Sequence, residues 1–231
     1  MIFYIFSTIW VILYSTIVLP FFIFMPLSLR IKCATFGTHV LLYLCNITDG
    51  ITYEIRGKEN LPAQPYIVAS EHQSPLETLI LFTIFKDAVF ILKKEVILLP
   101  FFNIFFISLK MIFIDRNKKL QALKKMLKLS TLRLKEGRTI IIFPQGSRTT
   151  INNKAQYKSG VAALYNSLSV PIVPIALNTG LFWPKNLISF KKKSGKAIIE
   201  ILPPINPGLN KKEFLEQLKA NLSEKSYALC N

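Results

Sequence analysis

The stretch YIVASEHQSPLETLILFTIF, Tyr66 to Phe85, holds a strand, a loop and a helix in immediate succession. Tyr66 to Ala69 reads as a short buried strand. Ser74, Pro75 and Glu77 then form a helix start: serine at the N-cap, proline at the first helical position and glutamate at the third. The helix is expected over Pro75 to Phe85, and His72 stands in the loop before it. A buried strand that opens directly into a capped helix is the unit of an α/β domain.

The pattern repeats outward. Ala88–Leu92 reads as the next strand, and Leu98 to Leu109 as an apolar element of unassigned type. Met111–Ile114 reads as a strand ending at Asp115-Arg116. Asn117 is the expected cap of a helix carrying Leu120, Leu123, Leu127 and Leu134 at helical spacing and stopped by Gly137. Thr139 to Phe143, TIIIF, is continuously apolar, as in a strand covered on both faces. A helix from about Ser159, strands at Ile172–Leu177 and Ala197–Leu202, and a helix from near Asn210 complete the expectation.

The first part of the chain differs in kind. From Met1 to Leu29 there is no charged side chain, and the stretch up to Leu19 alone approaches the roughly 20 residues that cross a bilayer core. Pro20 and Pro26 bend or end that helix. A second weakly polar run continues to Asp49. Residues 1–48 are therefore read as a membrane anchor, either one span or a re-entrant helical hairpin, and residues 49–231 as the α/β domain. A cleaved signal peptide fits less well, because a basic leading region and a small-x-small cleavage site are missing. Arg30 and Lys32 favour the cytoplasmic side for the α/β domain.

Composition agrees: 51% of the 231 residues are hydrophobic, yet the formal net charge is +16. That combination suits a protein at an anionic membrane surface. Charge alone would also suit a nucleic-acid binder, but the uncharged N-terminal stretch and the lack of interleaved aromatic and basic residues count against it. The lysines around 118–128 and 185–196 fit contact with headgroups, attraction of an acidic donor, or a solvated face. Cys33, Cys45 and Cys230 are odd in number and lack metal-ligand spacing, so neither a disulfide framework nor a metal site is expected.

Three places have side chains suited to chemistry. Glu77 has two compatible roles: the capping box explains it structurally, and a carboxylate on the first helical turn can also hold one ring nitrogen of His72 protonated. In FPQGSRT, Phe143 to Thr149, a buried strand ends at Pro144, Gly146 permits close backbone approach, and Arg148 offers a planar fork of donors suited to phosphate. Gly-Ser turns with a solvated arginine are common, so this signal is weak alone. Arg116 ends another strand and would join the same rim of a parallel sheet, unless it simply pairs with Asp115.

Taken together these blocks resemble the glycerolipid acyltransferase family. His72 through Glu77 stands for the family's H-x4-D, IFIDR for its second motif, FPQGSRT for its FPEGTR motif, and VPIVPIAL (Val170 to Leu177) for its fourth. Two positions depart: Glu77 replaces the usual aspartate, one methylene longer, and Gln145 replaces the usual glutamate, losing a charge.

The resemblance implies a mixed sheet flanked by helices, as in glycerol-phosphate acyltransferases, and an acyl transfer from a thioester to the sn-2 hydroxyl of 1-acyl-sn-glycerol 3-phosphate. His72 would be the general base, oriented by Glu77. Gly146, Ser147 and Arg148, with Arg116, would hold the acceptor phosphate. No cofactor or metal is implied. The co-substrate would be acyl-CoA or acyl carrier protein, the partners membrane lipids and lysophosphatidic acid, and the site the cytoplasmic face of the inner (cytoplasmic) membrane. Two other readings stay open, a different lysolipid acceptor, to which Gln145 points, and a non-catalytic lipid-binding protein on the same fold.

Overall fold

The computed structural model describes residues 1–85, 87–150 and 157–230. Two helices come first, α1 (Ile2–Phe22) and α2 (Leu27–Asp49). Pro20 does not break α1 but lies in its last turn; the break falls at Ile23–Pro26, with Pro26 as the N-cap of α2. Arg30 reaches back across it. Its Nε and Nη2 donate to the carbonyls of Met25 and Ile23 at 2.8 and 2.7 Å, supplying donors that the end of α1 lacks.

The two helices pack as a hairpin. Trp10 Nε1 donates to the Gly37 carbonyl at 3.2 Å and the Tyr14 hydroxyl to that of Cys33 at 2.8 Å. A Cβ at position 37 would lie 2.9 Å from the Tyr14 ring, so a larger residue there would displace that ring. Among the described residues, α1 is the one helix long and apolar enough to cross a membrane, with 11% of its most apolar window buried. α2 ends at Gly50, whose left-handed φ of 66° closes it.

The strands are β1 (Ile51–Arg56), β2 (Ile67–Ser70), β3 (Val89–Lys93), β4 (Ile112–Ile114), β5 (Ile140–Ile142), β6 (Ile172–Leu177) and β7 (Gly195–Ile201). Among the described residues they form one sheet of order β1-β7-β6-β2-β5-β3-β4. From β6 to β4 every pairing is parallel; β7 runs antiparallel to β6, and β1 parallel to β7. The sheet is therefore mixed, as the resemblance implies. Strand β1 is an addition to what the sequence suggests.

The helices are α3 (Pro75–Ile84), α4 (Phe102–Ser108), α5 (Lys119–Lys135), α6 (Ser159–Leu168) and α7 (Lys211–Ala228). α5, α6 and α7 pack in a row, α5 on β4 and β5 and α7 on β6, while α2 packs on α3 and β1. Central strands β2, β5 and β6 are buried along their length, the continuous apolar runs of a sheet covered on both faces. The unassigned Leu98–Leu109 stretch becomes the end of a 3-10 turn (Lys94–Leu98) and then α4.

One cap is corrected. Asn117 does not start the long helix; α5 begins at Lys119, and Asn117 sits in a 3-10 turn. The side chain of Asp115 takes the Asn117 amide at 3.1 Å, so the acidic residue nearer the strand captures the turn first. Asp115 does not pair with Arg116 either: it bonds Lys94 at 2.7 Å.

Candidate active site

His72 and Glu77 meet as the spacing suggests. β2 ends at Ser70, so His72 leaves the C-terminal edge of the parallel strands, where open α/β sheets place their sites. Its Nδ1 lies 2.7 Å from Glu77 Oε1. Glu77 is fully buried, and the same Oε1 accepts the backbone amides of Gln73 at 2.9 Å and Ser74 at 2.8 Å. Its other oxygen, Oε2, accepts the Thr179 hydroxyl at 2.6 Å.

Cap and dyad are thus one arrangement. The capping box at Ser74 and Glu77 is present, and the carboxylate that closes it also receives the imidazole. An ionised carboxylate only accepts, so Nδ1 must carry the proton and Nε2 is left as the basic nitrogen. The ring stacks on Phe143, with centroids 3.9 Å apart and planes 14° from parallel, which fixes its plane.

The FPQGSRT loop grips the histidine's backbone from the other side. Gln145 is buried, and its Oε1 accepts the His72 amide at 3.2 Å. The Thr149 amide donates to the His72 carbonyl at 2.8 Å. Position 145 therefore needs an acceptor oxygen, which glutamine and glutamate both provide; here the departure keeps the bond and drops the charge.

Arg148 is half-buried, and burial lowers its pKa while the charge of Glu77 opposes that shift. Its Nη1 donates to the Lys185 carbonyl at 3.1 Å, but its buried Nε has no partner among the described residues. A buried guanidinium donor without an acceptor is what an anion would satisfy. Arg116 Nη1 donates to the Gly146 carbonyl, bringing the second and third blocks together. Gly146 sits at φ 75°, a conformation natural to glycine, and Ser147 beside it is exposed. Five of the six residues singled out from sequence thus lie on loops or turns that follow β2, β4 and β5, and the sixth, Glu77, lies in the first turn of α3 beside them.

An acyltransferase family model matches residues 52–178. The chain belongs to the acyltransferase family. It is similar to the 1-acyl-sn-glycerol-3-phosphate acyltransferase of Pseudomonas aeruginosa, 38% identical over 144 residues, which cover 62% of this chain and 56% of that one. The human 1-acyl-sn-glycerol-3-phosphate acyltransferase alpha is 31% identical over 159 residues, 68% of this chain and 56% of its own length. The mouse alpha enzyme is 29% identical over 185 residues, 75% of this chain and 65% of its own. The matched stretches span between about half and two thirds of these relatives. In fold, the crystal structure of the 1-acyl-sn-glycerophosphate (LPA) acyltransferase PlsC from Thermotoga maritima superposes with a TM-score of 0.74 at 22% identity, covering 98% of this chain and 92% of that one.

The candidate site also contains residues that the sequence does not single out. Thr179, two positions past the end of β6 at Leu177, completes the bonding of Glu77. Gln73 holds Thr179 in place: its Nε2 donates to the Leu177 carbonyl at 2.9 Å and its Oε1 accepts the Gly180 amide at 3.1 Å. The same Nε2 donates to Glu71 Oε2 at 2.9 Å. Burial raises the Glu71 carboxyl, and its hydrogen bonds with Gln73 and Ser226 act in the opposite direction. The fourth block ends at Leu177, so its run of apolar residues signals the strand but not the hydroxyl just beyond it.

Proposed function

We propose that this acyltransferase transfers an acyl chain from a thioester to the free sn-2 hydroxyl of 1-acyl-sn-glycerol 3-phosphate, giving phosphatidic acid. The observation that carries the reading is the buried Glu77 carboxylate on His72 Nδ1, which leaves Nε2 as a base at the sheet edge. An alcohol is a weak nucleophile at neutral pH, so the attack needs a base in place. Nε2 takes the hydroxyl proton as the oxygen attacks the thioester carbonyl. The tetrahedral intermediate collapses with cleavage of the carbon–sulfur bond, and His72 returns the proton to the leaving thiolate. Glu77 stabilises the imidazolium in between.

Arg148, with Arg116, the Gly146 backbone and Ser147, holds the acceptor phosphate. Alanine at 148 is expected to raise the KM for lysophosphatidic acid by roughly tenfold or more, the worth of a charge-assisted hydrogen bond, with a smaller change in kcat. Steady-state kinetics with the acceptor varied check this; an unchanged KM would remove Arg148 from the phosphate site.

Thr179 acts through Glu77 as a positioning residue. Thr179→Val keeps the shape but removes a hydrogen bond to a charged group, about 1.5 kcal/mol or more, so kcat is expected to fall roughly tenfold. Thr179→Ser should recover most of it. Comparison of kcat, KM and melting temperature for the two variants separates this role from a merely structural one, in which both would fold less well and turn over normally.

An apolar cavity of about 150 Å³ lies among α1, α2, α3 and α4, walled by Trp10, Tyr14, Phe82, Phe90 and Phe105. Phe90 stacks on Phe143, which stacks on His72, so these two rings connect the cavity wall to the imidazole, and its apolar lining suits part of an acyl chain. A lipid acceptor and product favour a site held at the membrane, and α1 has the length and hydropathy for that role. Membranes carrying the protein, given lysophosphatidic acid and labelled acyl-CoA or acyl carrier protein thioester, should form labelled phosphatidic acid. Product only with lysolipids that lack the phosphomonoester would replace the acceptor, and no product from any of them would leave a lipid-binding protein.

A further inference from the structure

The segment between β3 and β4 is apolar where solvent would reach it. Leu98 is 81% exposed and Ile107 53%, with Leu99, Phe101, Phe102 and Ile104 exposed between them. These residues all fall within the single segment 98–107, from the end of the 3-10 turn through α4, so they are clustered rather than scattered over the surface. Such a face on a protein surface marks a partner or a lipid phase.

Two observations choose the lipid phase. The first is continuity with α1: Phe105 of α4 packs against Phe22 with ring centroids 4.7 Å apart and lies parallel to Tyr14 at 6.4 Å. Arg30 Nη1, which also joins the turn after α1, donates to the Ser108 carbonyl at 3.2 Å. The exposed apolar face of α4 thus extends that of α1, whose Ile12, Leu13, Ile17 and Phe21 are exposed as well. The second is charge. Lys93, Lys110 and Lys119 lie on either side of the segment in sequence, and the acids Glu95, Asp115 and Glu136 are countered in part by Lys94, which bonds Asp115, and by Lys110, 4.0 Å from Glu136. An apolar face rimmed by lysines fits an anionic leaflet.

We infer that the Leu98–Ile107 segment inserts into the headgroup and upper acyl region of a lipid leaflet beside α1, as a second membrane contact of the chain. It leaves the C-terminal end of β3, on the same sheet edge as the loops of His72 and Arg116. The segment then crosses to the N-terminal end of β4, which runs parallel to β3, so Leu98 at its start is nearer along the chain to the His72 edge than Ile107 is. Phe101, Phe102, Phe105 and Phe106 also wall the apolar cavity, so this segment borders both the exposed face and the cavity. The inference rests on α1 lying in the bilayer and not on the acyl-transfer chemistry.

The test is a depth measurement on the full chain in vesicles containing phosphatidylglycerol. Cys33→Ser, Cys45→Ala and Cys230→Ser give a background for single cysteines at Leu98, at Ile12 on α1 and at Lys219 on α7, each carrying an environment-sensitive fluorophore. The Leu98 label should shift to the blue, as the Ile12 label does, and be quenched several-fold more by lipids with a nitroxide near the headgroup than the Lys219 label is. A Leu98 label as wet as that at Lys219, with Ile12 dry, would overturn the inference and leave α1 in the membrane. Both labels wet would overturn the membrane placement of α1 together with the inference. A blue-shifted Leu98 label beyond the reach of the lipid nitroxide would sit against protein, a second copy of the chain, and would also overturn it.

Discussion

Replacement of His72 by alanine is expected to lower acyl transfer by roughly 10²- to 10⁴-fold, the range that a positioned general base supplies. The loss should fall on kcat, because the acceptor phosphate and the acyl chain have other contacts. The imidazole touches the fold through the Phe143 ring and one carboxylate oxygen, and its side chain is 15% exposed, so the variant should still fold. Turnover of labelled acyl-CoA by parent and variant in the same membranes, with melting temperatures alongside, checks both halves. A loss under tenfold would mean that another group, or solvent, removes the hydroxyl proton.

Glu77 carries the second large effect, and here two substitutions separate its two roles. Glutamine retains a carbonyl oxygen for the amides of Gln73 and Ser74 and for His72 Nδ1, while its amide can donate to Thr179 Oγ1. The helix start should survive, at a cost of about 1 kcal/mol. What disappears is the charge 2.7 Å from the ring that becomes an imidazolium. At an effective dielectric constant of about 20 such a pair is worth roughly 4 kcal/mol, so turnover should fall by about 10³-fold. Alanine removes cap and charge together. It leaves buried amides and the Thr179 hydroxyl without an acceptor, each costing about 1–3 kcal/mol, and should destabilise the chain by several kcal/mol. Denaturant unfolding and kcat for both variants decide. Glutamine with normal turnover and lowered stability would reduce Glu77 to a helix cap.

Much of this site is legible in the sequence, for a local reason. The capping box fixes Ser74, Pro75 and Glu77 relative to one another, and a first-turn carboxylate has few places to reach except the preceding loop, where His72 stands. The continuous apolar runs at Tyr66–Ala69 and Thr139–Phe143 gave buried strands whose ends must share an edge. Contacts across the sheet left no such trace. Thr179 lies 102 residues from Glu77, and Gln145 73 residues from His72, and neither has a neighbour in sequence that requires it. The edge strand β1 did carry a signal, since Ile51, Tyr53 and Ile55 alternate with Thr52, Glu54 and Arg56, but only Ile51 is buried and its polar residues resemble a linker. The Leu98–Leu109 stretch resisted assignment because its apolar residues follow no helix or strand period. In the structure α4 buries none of its side chains fully. Asn117 misled because it is a good cap residue whose amide Asp115 had already engaged.

The central claim is that Glu77 keeps the proton on His72 Nδ1 and leaves Nε2 basic. Selective ¹⁵N labelling of histidine tests it directly, because the chain has 2 histidines and His39→Gln removes the other signal. At alkaline pH, where imidazoles are neutral, the His72 ring should show a protonated, pyrrole-type Nδ1 and an unprotonated, pyridine-type Nε2. A ring protonated at Nε2 instead, or one exchanging evenly between both forms as a free imidazole does, would contradict the account, since Glu77 would then not be directing the base.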